Sequence, residues 1–446
     1  MKSAGPRDLY EQARRRIPGG TQLLSKRPEM FLPNGWPTYY REARGIEVVA
    51  VDGRRYVDMA NMGVGACVLG YADPDVDAAV REAVARGVAC TLNAPEEVEL
   101  AELLCELHPW AGMVRYTRSG GEAMAVAVRI ARAHTRRDVV AFCGYHGWSD
   151  WYLAANLGDE QALDGHLMPG LDPAGVPRAL RGTAFPFFYN RIDQLEAIVR
   201  EHGHNLAAIV MEPRRGEAPE PGFLEGVRAL ADETGAVLVF DEITTGFRMT
   251  VGGIHRMLGV EPDIAVFAKA MANGYAMAAV IGREPVMEAA QSTFISSTNW
   301  TERIGPTAAL ATIRKLKRHD VPAYICRVGE EVRAGWLETG ERAGLPVRSA
   351  GLPCSPELHF DHPEGRTLIT LFVKRMLERG YLTFFQFKPS WAHRGDHVAA
   401  YLAHVEEVFG ELAEAVQKGD ASERLAGPPS LPGFFRLTEG PREAAP

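Results

Sequence analysis

Short apolar runs alternate with segments of helical periodicity along most of this chain. The runs at residues 138–142, 208–211, 236–240 and 263–268 consist of Val, Ile, Leu, Phe, Ala and Met with hardly a polar position. Continuous apolar runs of this length are typical of strands buried on both faces of a parallel sheet. Across residues 68–316 the alternation predicts an α/β fold with a mostly parallel, doubly wound sheet covered by helices.

The two ends of the chain follow other patterns. Residues 8–16 predict a short amphipathic helix, residues 46–59 predict a hairpin that turns at its Asp-Gly pair, and residues 396–417 predict a C-terminal helix. The tail, residues 427–446, is rich in Pro and Gly, which predicts partial disorder.

Lys269 directly follows the 263–268 run and is the only lysine between Lys26 and Lys315. An ammonium group in apolar surroundings loses affinity for its proton, and the neutral amine is the nucleophile that condenses with carbonyl groups. A lysine at a strand end can also extend its ammonium group to solvent. Other motifs of the chain are needed to distinguish a nucleophilic amine from a solvent-exposed ammonium group at Lys269.

Asp241 ends the 236–240 run. Ligands of parallel sheets collect at the carboxyl ends of the strands, so we expect Asp241 and Lys269 to face one crevice. A carboxylate in that position can keep a ring nitrogen of a cofactor protonated. Asp is also a common turn residue. The hypothesis that Asp241 binds a cofactor therefore depends on the presence of Lys269 at the end of another apolar run.

Ser119, Gly120 and Gly121 open an Ala-rich stretch with apolar positions at helical spacing, residues 118–132. The N–H groups of a first helical turn are unpaired and lie at the positive end of the helix dipole, which makes this turn a candidate phosphate cradle. A serine before a helix is equally an ordinary N-cap.

Tyr145 and His146 follow the 138–142 run, where an aromatic ring can stack on a planar cofactor. A reactive amine at Lys269, a carboxylate at Asp241, a phosphate cradle and a stacking ring are together the groups that pyridoxal 5'-phosphate requires.

In order and spacing these stretches resemble the class III, or fold type I, pyridoxal-phosphate-dependent aminotransferases, and among them the glutamate-1-semialdehyde aminomutase branch. The likeness begins at residues 17–20 and covers nearly the whole chain. It implies that Lys269 carries the cofactor as a Schiff base, that Asp241 pairs with the pyridine nitrogen, and that Tyr145 stacks on the ring.

Two stretches depart from the family pattern. Ser119-Gly120-Gly121 stands where members have Ser-Gly-Thr, so one hydroxyl donor to the phosphate is missing while the backbone donors remain. The family landmark Glu212-Pro213 is followed by Arg214-Arg215, where members offer a Gln or an Asn near the phenolic oxygen of the cofactor. The contact on that side of the ring is therefore expected to differ.

The resemblance also implies that a neighbouring subunit lends a threonine to the phosphate. An alignment on Pro306 places Thr301 at that position, and Thr298 is the alternative. We therefore expect a homodimer whose active sites are completed across the interface.

The resemblance further implies a division of the chain. Residues 1–67 form an N-terminal segment and part of a small α+β domain, residues 68–318 form the large cofactor-binding domain, residues 319–426 form the rest of the small domain, and residues 427–446 form the tail.

Composition agrees with this picture. A chain of 446 residues with 46% hydrophobic content suits a soluble two-domain protein, and the net charge of -8 argues against nucleic acid as a partner. An apolar leader or membrane span is not visible, so we expect a cytoplasmic protein without a membrane partner. Six scattered cysteines are expected to be reduced, and the histidine pairs 202/204 and 359/362 lack a third ligand, so we predict no metal.

The sequence therefore predicts an aminotransferase that moves an amino group from a donor such as glutamate or glutamine to an aldehyde or ketone. Polar residues around Trp300 favour a small polar acceptor of a sugar-like or aminoglycoside-like kind. The alternatives are an aminomutase that transfers the group within one molecule, and an inert binding module of the same fold. Residues 151–181 are expected to form a lid or pocket wall, or else structural filler.

Overall fold

The computed structural model describes residues 5–166, 170–214 and 216–431. Its strands are β1 Tyr40–Arg44, β2 Glu47–Ala50, β3 Arg55–Met59, β4 Met113–Thr117, β5 Val139–Cys143, β6 Ala184–Pro186, β7 Leu206–Met211, β8 Val237–Asp241, β9 Ile264–Phe267, β10 Ala278–Gly282, β11 Val347–Leu352, β12 Ser355–Phe360 and β13 Tyr381–Thr383.

The α-helices complete the architecture. They are α1 Pro6–Arg16, α2 Pro74–Ala85, α3 Pro95–Leu107, α4 Gly120–Thr135, α5 Asp150–Leu153, α6 Ile192–His202, α7 Phe223–Thr234, α8 His255–Leu258, α9 Glu284–Met287, α10 Ile304–His319, α11 Val321–Ala343, α12 Gly365–Glu378, α13 Gly395–Lys418 and α14 Ala421–Leu425.

The central sheet has seven strands in the order β4-β10-β9-β8-β7-β5-β6. The strands from β9 to β6 run parallel to one another, whereas β10 is antiparallel to both β4 and β9. The four apolar runs of the sequence are the strands β5, β7, β8 and β9, with bounds shifted by one or two residues. The predicted mostly parallel α/β sheet is therefore confirmed.

Alternate residues of the central strands pack against different helices. Val239 of β8 packs in one core with residues of α4, whereas its neighbour Leu238 packs in another core with residues of α6 and α7. Helices thus cover both faces of the sheet, which explains why these strands are apolar at every position. Asp241 is the first polar residue of β8, and its carboxyl end is where a ligand can approach.

Two smaller sheets lie outside the central one, in the orders β1-β2-β3-β13 and β11-β12. The hairpin predicted for residues 46–59 is formed by β2 and β3, and the predicted terminal helices are α1 and α13. Because β13 pairs with β3, the C-terminal part of the chain joins the N-terminal segment in one sheet. The predicted domain bounds stay a prediction.

The start of the tail lies against the protein, where the Ser430 N–H donates to Thr370 Oγ1. The remainder of the tail, residues 432–446, lies outside the described residues, so the prediction of partial disorder there stays a prediction. In the ranges that the structure describes, the helices are all too short or too polar to cross a bilayer. The same ranges contain no group of three or more side chains arranged to hold a metal ion.

Candidate active site

The predicted site residues meet at the carboxyl edge of the central sheet. Lys269 follows β9 directly, Asp241 ends the neighbouring strand β8, and Ser119 precedes α4. Tyr145 and His146 lie on the turn after β5, whose residues Gly144 and Gly147 both have positive φ angles that favour glycine.

Lys269 begins a 3₁₀ turn and has a φ of 46°, in the left-handed region that a lysine rarely adopts. Its Nζ donates a hydrogen bond to Thr244 Oγ1 at 2.9 Å. The amine is thus held over the loop that follows Asp241, and a backbone conformation of this kind is common where a site fixes a side chain. Thr244 was not singled out from the sequence, since its position in the Asp241 loop only becomes informative once β8 and β9 are paired.

Asp241 is 4% exposed, and both of its carboxylate oxygens have protein partners. Oδ1 accepts from the Ile243 N–H at 3.0 Å, and Oδ2 lies 2.8 Å from His146 Nδ1. His146 Nε2 in turn faces the carbonyl oxygen of Cys143 at 3.0 Å. Both ring nitrogens face oxygen atoms, which fixes the orientation of the imidazole ring.

The two aromatic candidates after β5 have different positions. The His146 ring is buried against Asp241, whereas Tyr145 is 36% exposed, so only the tyrosine ring is open to a ligand. Burial and the charge of Asp241 raise the pKa of the Tyr145 hydroxyl above the ordinary tyrosine value. Of the two predicted stacking rings, the geometry favours Tyr145 and makes His146 a partner of the carboxylate.

Ser119 is the N-cap of α4 and forms a capping box with Glu122. Its hydroxyl donates to Glu122 Oε2 at 3.1 Å and accepts from the Glu122 N–H at 3.4 Å. The Ser-x-x-Glu spacing that marks such a box was visible in the sequence. At Gly120, an added Cβ would lie 2.9 Å from the side chain of Ile243, so only glycine lets α4 approach the loop after Asp241 this closely.

Glu242 anchors the far side of that loop. Its carboxylate is fully buried and accepts from His255 Nδ1 at 2.8 Å and from Thr245 Oγ1 at 2.7 Å. His255 Nε2 accepts from the Trp110 indole at 3.0 Å, and His108 packs beside it. The carboxylate of Glu242 therefore supports the loop from within, while that of Asp241 lies at the carboxyl end of β8.

Glu212 is buried below the turn that carries Tyr145. One of its carboxylate oxygens lies 3.0 Å from where a Cβ of Gly144 would be, so Glu212 lies directly beside the residue that precedes Tyr145. Arg214 follows on the same edge, whereas Arg215 lies outside the described residues.

A pair of buried cations near Lys269 was not foreseen. Lys388 is 6% exposed and donates to Gln386 Oε1, and burial together with the charges of Lys269 and Arg248 lowers the pKa of Lys388 well below the ordinary lysine value. Arg248 is 2% exposed, and its Nη1 has no partner among the described residues. The sequence signal that could have found this cluster was a lysine directly after the aromatic-rich stretch 381–387.

Gly65 makes room for both cations. A Cβ at this residue would lie 3.0 Å from Lys388 Cδ and 3.1 Å from Arg248 Nη2, and the Gly65 carbonyl accepts from Arg248 Nη2 at 2.6 Å. Glu357, which bonds Gln386, is an acidic group within electrostatic reach of Lys388.

Thr301 and Thr298 lie on an exposed 3₁₀ turn, and the Thr301 hydroxyl donates to the Thr298 carbonyl at 2.9 Å. Arg118, the residue before the phosphate cradle, fixes this turn. Its guanidinium donates to the carbonyls of Trp300 and Glu302 and pairs with the Glu302 carboxylate at 2.8 Å. Among the described residues, the Thr301 hydroxyl bonds the Thr298 carbonyl and none of the other predicted site residues.

The segment of residues 151–181 begins as part of the core. Trp151 and Tyr152 are buried in the core next to α4, and so are Leu163 and Val176. Tyr152 donates its hydroxyl to the Gly144 carbonyl at 3.1 Å. The described part of the segment is thus a packed wall beside the turn of Tyr145, and residues 167–169 lie outside the described ranges.

Relatives with assigned activities match this chain over most of its length. The 3-aminobutyryl-CoA aminotransferase of Cloacimonas acidaminovorans is 33% identical, over 92% of this chain and 99% of the relative. A glutamate-1-semialdehyde 2,1-aminomutase of Roseiflexus castenholzii is also 33% identical, over 94% and 100%. The 2'-deamino-2'-hydroxyneamine transaminase of Streptomyces kanamyceticus is 33% identical over 73% and 79%.

Solved structures point the same way. The FumI protein of Sphingopyxis sp. MTA144, solved in its PLP internal aldimine form, superposes with a TM-score of 0.83 at 26% identity, over 92% of this chain and 97% of that chain. The model of the family Aminotransferase class-III matches residues 33–409. This chain is accordingly a member of the class III aminotransferases, enzymes of fold type I that depend on pyridoxal 5'-phosphate.

Proposed function

We propose that this enzyme holds its cofactor at Lys269 and moves an amino group from glutamate or glutamine to the carbonyl of a small polar molecule. The observation that carries the proposal is the meeting of Lys269 and Asp241 at adjacent strand ends, opposite the first turn of α4. The amine of Lys269 and the buried carboxylate of Asp241 lie at the same edge of the sheet, so a single flat ligand can contact both.

The residues present fit pyridoxal 5'-phosphate. Asp241 is a buried carboxylate for the pyridine nitrogen, Tyr145 offers an open ring face, and the backbone N–H groups of Gly120 and Gly121 are available to a phosphate. When bound, the cofactor supplies an electron sink for the electron pair left on the substrate carbon.

The chain itself supplies orientation and proton movement. Lys269 Nζ, oriented by Thr244, is the base that takes the proton from the amine-bearing carbon of the donor. In the second half of the transfer it gives a proton to the former carbonyl carbon of the acceptor. His146 holds Asp241 in position so that its charge faces the ring nitrogen. Departure of the donor as a keto acid prepares the site for the carbonyl acceptor.

The buried guanidinium of Arg248 supports a donor with an acidic group. Arg248 and Lys269 both lie within electrostatic reach of Lys388, and their charges help to lower its pKa. A carboxylate of glutamate or glutamine bound beside Arg248 would offset its buried charge, which is otherwise unfavourable. For the acceptor, support comes from the relative named 2'-deamino-2'-hydroxyneamine transaminase, together with the polar residues around Trp300.

We further propose that the enzyme is a homodimer whose partner subunit lends Thr301 to the phosphate. The exposed position of Thr301 and the bonds by which Arg118 fixes its turn support this assignment. A threonine that serves its own subunit would be expected to contact the other site residues, and no such contact is found among the described residues.

Intramolecular transfer is the second candidate. The relative named glutamate-1-semialdehyde 2,1-aminomutase matches this chain from end to end at the same identity as the aminotransferase from Cloacimonas. An enzyme of that kind completes both halves of the transfer on one molecule and has no need of a separate donor.

A single-turnover half reaction separates the two candidates. The visible absorption of the yellow enzyme is followed while L-glutamate, L-glutamine and 4,5-diaminovalerate are added in separate experiments. Loss of the yellow band with release of a keto acid from glutamate or glutamine is the expected result. A response to diaminovalerate alone would replace the proposal with the aminomutase, and a protein that never becomes yellow would contradict both.

A further inference from the structure

The indole of Trp148 lies on the first turn of α4. A Cβ added to Gly121 would be 3.1 Å from Trp148 Nε1, closer than nine in ten such contacts allow. The side chain of Trp148 is 71% exposed, and its N–H has no acceptor among the described residues. Exposure of so large an apolar ring, with a free N–H beside the first turn of α4, has to be explained.

Trp148 is held in this position by its neighbours. Gly147 has a φ of 101°, and a Cβ there would be 3.3 Å from the Cα of Gly121, so glycine is needed for the close approach. The Ser149 hydroxyl faces the Gly121 carbonyl at 3.5 Å. The turn that carries Tyr145 therefore also fixes the indole against the helix.

The backbone conformation at residue 121 does not require a glycine. It lies inside α4 and its φ angle is not positive, so the helix itself would be better served by alanine or serine. What the missing side chain does provide is room for the indole. Gly121 and Trp148 thus behave as a matched pair.

Donors converge on this turn. The N–H groups of Gly120 and Gly121 have no acceptor among the described residues, and the indole N–H of Trp148 lies beside them. Ser119, by contrast, already uses its hydroxyl in the capping box. Two backbone donors and one indole donor at the positive end of a helix suit a phosphate group.

We propose that Trp148 donates its indole N–H to the cofactor phosphate, and that Gly121 is glycine so that the indole can reach it. The inference rests on the proposed function, since it requires the phosphate to lie at the start of α4. It assigns the third donor of the cradle to a residue that lies 27 positions further along the chain than Gly121.

The first test compares Trp148→Phe with the unaltered protein in equilibrium binding of pyridoxal phosphate and of pyridoxal, which lacks the phosphate. Loss of one hydrogen bond to a charged group predicts a roughly tenfold weaker affinity for pyridoxal phosphate and an unchanged affinity for pyridoxal. Trp391→Phe, in a ring remote from α4, is the matched control and should alter neither affinity.

The second test exchanges the donor. Gly121→Ser should weaken pyridoxal phosphate binding when Trp148 is present, because the new Cβ meets the indole. In a Trp148→Ala background the same substitution should restore part of the lost affinity, since the serine hydroxyl then has room to take over the bond. This reversal of sign is not expected of a tryptophan that only packs.

The outcomes distinguish a wrong assignment of Trp148 from a wrong proposed function. Equal weakening of both ligands by Trp148→Phe would mean that the indole packs on the ring, and unchanged affinities would mean that it serves another surface, such as a subunit contact. Either result overturns the assignment of Trp148 and leaves the proposed function standing. Failure of the unaltered protein to bind pyridoxal phosphate would instead overturn the proposed function.

Discussion

His146 Nδ1 lies 2.8 Å from Asp241 Oδ2, and both side chains are buried. The other imidazole nitrogen faces a backbone carbonyl, so the ring is fixed in orientation from both sides. The carboxylate of Asp241 is therefore held in a fixed orientation, at the strand end where the proposed pyridine nitrogen lies. The pair links the turn after β5 to the end of β8.

Replacement of His146 should weaken the cofactor site through Asp241. In His146→Leu the carboxylate loses a charge-assisted bond, and we expect roughly 1.5–3 kcal/mol less favourable cofactor binding. Dissociation of pyridoxal phosphate followed by absorbance measures the effect. Asp241→Asn should be affected at least as strongly, and a combined variant should be no worse than Asp241→Asn alone, because the two residues act as one unit. Additive losses would contradict this linkage.

Thr244 should matter through its hydroxyl. Thr244→Val keeps the shape of the side chain but removes the acceptor for Lys269 Nζ, so a loss of about 1 kcal/mol in the positioning of the amine is expected. The readout is the rate at which the apoprotein becomes yellow with pyridoxal phosphate. Thr244→Ser retains the hydroxyl and should react at nearly the original rate, whereas equal rates for the Val and Ser variants would exclude the proposed role.

Thr301 should act in the partner subunit. Thr301→Ala alone is expected to lower the affinity for pyridoxal phosphate by about tenfold, the size of one hydrogen bond to a charged group. Lys269→Ala alone should abolish turnover. In a dimer mixed from the two variants, one site has both Lys269 and Thr301 intact, so activity at limiting cofactor should rise above that of either parent.

A mixture without this gain would mean that Thr301 serves its own subunit or none. Thr298→Ala is the companion experiment, because Thr298 is the sequence alternative. Complementation by the Thr298 variant in place of the Thr301 variant would transfer the role to Thr298.

Acid stability should depend on His108. Its Nδ1 bonds the Leu104 carbonyl at 2.8 Å and its Nε2 accepts from the Gly253 N–H at 2.9 Å, which requires a neutral ring. Burial lowers the pKa of His108 from 6.5 to about 4. Since the unfolded chain takes up the proton first, the stability is complete above pH 6.5 and is lost as the pH falls towards 4.

His108→Gln should therefore flatten the fall of the unfolding free energy between pH 6.5 and 4 by at most about 1.4 kcal/mol per pH unit. Urea unfolding at several pH values measures this slope. His134→Gln, on the exposed face of α4, is the matched control and should leave the slope unchanged. His393 is buried in the same way and has its pKa lowered to about 4, so part of the slope will remain. An unaltered slope in His108→Gln would contradict the neutral, buried ring.

The sequence was sufficient for the sheet and for the residues at strand ends. Continuous apolar runs of this length are typical of strands covered on both faces, and residues that end parallel strands lie at the carboxyl edge, which is how Asp241 and Lys269 were found. Spacing along the chain carries this information because each strand is one local segment.

Residues that act through contacts between distant segments escaped prediction. Thr244 and Arg118 have no special sequence pattern around them. Lys388 follows an aromatic-rich stretch, but its proximity to Lys269 and Arg248 depends on which loops the fold brings together. The contact between His146 and Asp241 likewise could not be read from the sequence, because it depends on how β5 and β8 are placed in the sheet.

The central claim, that Lys269 is the lysine that holds the cofactor, is tested most directly by borohydride reduction of the yellow protein. Reduction fixes a lysine-bound cofactor as a stable secondary amine, and mass spectrometry of the peptides identifies its position. The account predicts the modification on Lys269 and its disappearance in Lys269→Ala. Modification of Lys388, the other buried lysine near the crevice, or of neither residue, would contradict it.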